Sequence, residues 1–98
     1  MNTRMQKSLE AAEMLAIQAL GFIAEEPERL GDFLSASGLT IEHVRTAAQE
    51  PDFLAGVLDH MLADENLLVD FATSAGIDPV AVGRARRSLG KIWERDLP

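Results

Sequence analysis

His60 is the first residue in this 98-residue chain that could do chemistry. It follows Asp59 directly and stands four residues before Asp64. An Asp–His–Asp cluster can hold a metal ion or serve as a general base. The bland alternative carries more weight: His60 is a boundary residue at the edge of an apolar helix face, and Asp64 is a helix N-cap. The other histidine, His43, stands beside Glu42 in a short helical stretch and reads as surface. There is no His-x-x-x-His pair, no cysteine, no glycine-rich phosphate loop and no nucleophile elbow. The expectation is a protein with no catalytic residue, no metal site and no cofactor.

A second constellation is basic. The run from Phe71 to Arg87 (FATSAGIDPVAVGRARR) has the order short helix, Gly-Ile turn, second helix with arginines, which resembles a helix-turn-helix. At 100° per residue Arg84, Arg87, Lys91 and Arg95 share one face, opposite Val82, Leu89 and Trp93. At a rise of 1.5 Å per residue that stripe is about 17 Å long. Three features oppose nucleic-acid binding. Asp78 sits where a recognition helix would approach base edges, and the equivalent first-half segment carries only Arg45 against Glu42. The net charge is −7, and phosphates repel an acidic protein. Basic residues late in a helix also suit its dipole. The stripe is therefore read first as a partner for acidic surface, within or between molecules. Nucleic-acid binding through Arg84, Arg87, Lys91 and Arg95 is the alternative.

The charge is unevenly spread. Twelve acids and two basic residues, Arg29 and Arg45, lie between Glu25 and Asp78; five basic residues and Glu94 lie between Arg84 and Arg95. The absence of cysteine favours a cytosolic address over a disulfide-stabilised secreted one. Arg4 and Lys7 ahead of an apolar run have the outline of a signal peptide. Glu10 and Glu13 interrupt that outline, and Glu25 and Glu26 stand where a small-residue cleavage site belongs. No targeting segment and no membrane span are expected.

The elements that must position these residues are all helical, because no stretch alternates apolar and polar for long. The anchor is Leu15 to Ala24, whose only polar side chain is Gln18. Ten residues are too few for a bilayer, which takes about 20. A helix apolar on nearly every face predicts a buried rod with the other helices sheathing it. Helix 1 begins between Thr3 and Ser8, with a stripe of Leu9, Ala12, Ala16, Leu20 and Ile23. Gly21 inside it suggests close approach by a neighbour. Helix 2 opens at Glu26-Pro27, turns Leu30, Phe33 and Leu34 inward and stops at Gly38. Thr40 caps helix 3, with Ile41, Val44 and Ala48 inward; Pro51 opens helix 4, whose apolar face is Phe53, Leu54, Val57, Leu58, Met61 and Leu62. Asp64 caps helix 5, with Leu67, Leu68, Phe71, Ala72 and Ala75 inward and Gly76 as its stop. Asp78-Pro79 opens helix 6, with Val82, Ala85, Leu89, Ile92 and Trp93 buried. Residues 1–6 and 96–98 are expected to fray.

Shifted by 38 residues, the chain matches itself. Leu30, Asp32, Phe33 and Gly38 fall on Leu68, Asp70, Phe71 and Gly76. The match reads as a duplication with halves at about 15–52 and 53–90, although amphipathic helices that end in glycine also resemble one another by chance. The expected fold is an all-α, compact six-helix single domain, with the two three-helix halves in a pseudo-twofold arrangement.

AIQALGFIAEEPERLGDFL (Ala16 to Leu34), the later Ser-Gly-Leu and PDFLAGVLD (Pro51 to Asp59) resemble a family of short, mainly alphaproteobacterial proteins classed as a domain of unknown function. The resemblance runs from about Ala11 to Leu89. It implies a small cytosolic bacterial protein and carries no activity, cofactor or catalytic residue with it. The role expected is binding rather than catalysis, with a protein partner, a second copy of the chain included.

Overall fold

A computed structural model describes the backbone of residues 3–48 and 50–95 and the side chains of 7–48 and 50–90. Six helices follow one another: α1 Thr3–Ala24, α2 Pro27–Ser37, α3 Ile41–Ala47, α4 Pro51–Leu62, α5 Glu65–Ala75 and α6 Pro79–Arg95. No described residue is in a strand. Local chemistry sets the boundaries. Pro27 and Pro51 stand in the first turns of α2 and α4, where a missing N–H costs nothing. Gly38 and Gly76 end α2 and α5 in the left-handed region, at φ 72° and 69°. The Thr40 hydroxyl accepts from the His43 amide, and Nδ1 of His43 accepts from the Thr40 amide, closing a reciprocal cap. The Asp64 carboxylate accepts from Leu67 N–H and that of Asp78 from Val80 N–H.

The core is a three-helix seam. α1, α4 and α6 pack on one another; α2 lies against α1, and α5 against α4 and α6. α4 is the most enclosed, burying Leu54, Ala55, Val57, Leu58 and Met61. From α6 come Val82, Ala85 and Leu89, and from α5 Leu67, Phe71 and Ala72. α3 buries nothing.

The expectation of a sheathed rod at Leu15–Ala24 is corrected. α1 buries a single row, Ala12, Ala16, Ala19 and Ile23, while Met14 is 64% and Ile17 49% exposed. The row passes through Ala19 rather than the expected Leu20, which is half-buried. The molecule measures 43 × 29 × 18 Å. Its short axis takes two layers of helices at the usual spacing of about 8–10 Å, and enclosing a helix on all sides needs three. The small side chains of the row let α4 and α6 approach α1 closely, so alanine rather than leucine marks the interior of that helix.

Other inward assignments shift for the same reason. Ile41, Leu62 and Ala75 are exposed, and Ala48 is half-buried. Gly21 is exposed, with nothing within 4 Å of where a Cβ would stand, so no neighbouring helix approaches it. The side chains of Ile92 and Trp93 lie outside the described residues, as do residues 1–2 and 96–98, on which most of the expected fraying falls.

The helix boundaries keep the register of the sequence match. α1 and α4 end, α2 and α5 both begin and end, and α3 and α6 begin 38 residues apart. The halves part company at α3 and α6, which are 7 and 17 residues long.

Candidate functional site

α2 and α4 leave an open groove between them. Phe33 of α2, 3% exposed, forms its base. Phe53 of α4 meets that ring edge-on at 6.0 Å between centroids, and His60, two turns along α4, meets it edge-on at 5.2 Å. These are favourable aromatic geometries. Ala36, Ser37 and Leu39 form one wall; Gly56 and Asp59 complete the other. Gly38 makes the wall possible: its amide bonds to the Leu34 carbonyl in the left-handed turn, and the chain then leads into Leu39. Gly56 has nothing within 4 Å of where a Cβ would stand, so the floor is open where a side chain is missing. The groove holds about 380 Å³, within the range of small-ligand and peptide-anchor pockets.

Its rim is acidic. Asp52, Gly56 and Asp59 are spaced i, i+4, i+7, which puts all three on one face of α4. Asp32 lies one turn before Ala36 on α2, with Glu28 a turn before that. All four acids are exposed. Asp59 is held by α6: Arg86 Nε donates to its Oδ1 at 2.6 Å. Arg86 lies along its own helix, its Nη1 3.0 Å from where a Cβ on Gly90 would stand. With side chains 32% and 56% exposed, the pair orients Asp59 and contributes little stability.

The Asp59, His60 and Asp64 constellation is dispersed in the fold. Asp59 faces Arg86, Asp64 caps α5 and His60 packs on Phe33. Among the described residues no three His, Cys, Asp or Glu side chains come together as a metal site. His43 is exposed and serves the α3 cap. Of the basic stripe, Arg84 and Arg87 are exposed, and the side chains of Lys91 and Arg95 lie outside the described residues. The ion pairs among the described residues are Arg86–Asp59 and Arg29–Glu26, so Arg84 and Arg87 join neither. Arg84 borders a second, shallower trough of about 450 Å³ between α1 and α6, floored by Ala12, Leu15 and Ala85. No described helix is long and apolar enough to cross a membrane.

Sequence reasoning missed the groove because Phe33 and Phe53 each read as core. The available signal was Gly56, a residue without a side chain, set at helical spacing between two acids.

A family model described as "Protein of unknown function (DUF3572)" matches residues 9–91. The chain belongs to the DUF3572 family. The matched region takes in α1 from Leu9, all of α2 to α5, and α6 as far as Lys91. Both groove helices and the Arg86–Asp59 pair therefore lie within the DUF3572 region. No curated protein and no solved structure matches the chain.

Proposed function

We infer that this DUF3572 protein is a small, non-catalytic bacterial interaction module that works in the cytosol and docks a protein segment in the α2/α4 groove. The observation that carries the reading is the aromatic floor of Phe33, Phe53 and His60 left open beneath Gly56. Apolar clefts with a few polar groups at the edge are where proteins bind other molecules. The engagement of His60 with Phe33, and of Asp59 and Asp64 elsewhere, favours binding over general-base chemistry. Selection of helical peptides from a random library tests the reading. Clones bound by wild type and by Gly21→Arg, but lost on Gly56→Arg, are expected. A library in which no clone distinguishes Gly56→Arg from wild type contradicts it.

The second reading is nucleic-acid binding through α6, favoured by the exposure of Arg84 and Arg87. In a gel shift at low salt, Arg84→Glu with Arg87→Glu should abolish binding by wild type. No shift by wild type removes this reading.

We also read the fold as a duplication with pseudo-twofold cross-packing. Phe33 of α2 packs on His60 of α4, and Phe71 of α5 packs on Phe22 of α1. Moving each residue by 38 positions into the other half converts one pair into the other. At the position equivalent to Gly56 the first half carries Gln18, an exposed side chain.

A further inference from the structure

We propose that the occupant of the α2/α4 groove is a basic amphipathic helix, two to three turns of which lie between the acidic rows of α2 and α4. The proposal rests on the docking reading above and adds the partner's chemistry. Phe53 to His60 spans seven residues of α4, about 10 Å at 1.5 Å per residue. That length seats apolar anchors of a helix at i, i+3 or i+4, and i+7.

Charge selects which helix. Asp52 and Asp59 line one side, Glu28 and Asp32 the other, and the only arginine or lysine between Asp32 and Asp59 is Arg45. A partner with Lys or Arg flanking its apolar stripe meets an acid on either side; an acidic helix meets repulsion on both. The molecule already makes one such contact in cis. Arg86 reaches across from α6 to Asp59 through Nε and Oδ1. A second copy of the chain fits less well, because it brings a net charge of −7 to an acidic surface.

The test is fluorescence anisotropy with a labelled Leu/Lys amphipathic helical peptide and its Leu/Glu counterpart. The proteins are wild type, Gly56→Arg, Ala36→Arg and Gly21→Arg. All three variants change the net charge equally, and Gly56 and Gly21 are both open helical positions with nothing within 4 Å. Ala36 is exposed on the opposite wall and gives a second, independent block. The expected result is binding of the Leu/Lys peptide that weakens about tenfold or more with either groove variant. Affinity should stay near wild type for Gly21→Arg, fall with added salt, and be absent for Leu/Glu. Equal binding of both peptides, lost on Gly56→Arg, overturns the choice of a basic partner and leaves the docking reading standing. Equal weakening by Gly56→Arg and Gly21→Arg, or none by either, places the contact outside the groove and overturns both. No binding of the Leu/Lys peptide at low salt overturns the basic partner, and the library selection then decides the docking reading. Self-association in sedimentation that Gly56→Arg abolishes makes a second copy the occupant and overturns the proposal.

Discussion

Replacing Ala16 by leucine probes the seam where α1 meets α4 and α6. Ala16 is fully enclosed, as are Ala19 and Ile23 on the same row. Leucine adds three carbons where no free volume faces the Cβ, so side chains on α4 or α6 must leave their rotamers or the helices must separate. Overpacking of this kind costs about 1–3 kcal/mol. The intrinsic helix preference of leucine over alanine is a few tenths of a kcal/mol and cannot account for such a loss. For a domain of this size each kcal/mol lowers the melting temperature by about 4–8 °C, so a fall of about 5–20 °C is expected. Thermal and urea unfolding followed by circular dichroism measure it. The companion variant is Ile17→Ala, one position along the helix and 49% exposed. Its loss should stay below about 1 kcal/mol, whereas a sheathed isoleucine would lose about 2–5 kcal/mol. An Ala16→Leu protein as stable as wild type, or an Ile17→Ala protein that loses several kcal/mol, refutes the one-sided packing of α1.

Other outcomes follow from single contacts. Gly38→Ala and Gly76→Ala should each lose about 1 kcal/mol, since both glycines have positive φ; neutral variants in urea titrations contradict the helix stops. Gly56→Ala should gain about 0.5–1 kcal/mol, because the Cβ enters open space inside a helix, and a loss would mean the groove is closed in solution. Asp64→Ala should cost about 1 kcal/mol through the lost bond to Leu67 N–H, with Asp64→Ser retaining most of it. A double-mutant cycle on Asp59 and Arg86 should return a coupling of at most about 1 kcal/mol, reduced by salt, and a larger value would require a pair shielded from water.

Much of this fold is local chemistry and could be read directly. Pro27, Gly38, Thr40, Pro51, Asp64 and Gly76 each satisfy or remove backbone groups at a helix end, and each does so where its residue type predicted. Membership of the family was legible in the run from Ala16 to Leu34 and in Pro51 to Asp59. What was not legible depends on how the helices are layered. Leu15 to Ala24 is apolar on nearly every side whether or not it is enclosed, and only the 18 Å thickness of the molecule decides that Ile17 meets solvent. The groove escaped for a related reason. Phe33 and Phe53 are apolar residues on amphipathic helices, and the gap between them is a property of how α2 sits on α4, across 20 residues of sequence. The Arg86–Asp59 contact spans 27 residues and has no helical spacing to announce it.

The open groove is the claim on which the functional account stands, and amide chemical shifts test it most directly. In a titration of isotope-labelled protein with the Leu/Lys helical peptide, the shifts should concentrate at Phe33, Ala36, Leu39, Gly56 and His60. Shifts gathered on Arg84 and Arg87 of α6, or scattered over the whole acidic surface, would contradict it.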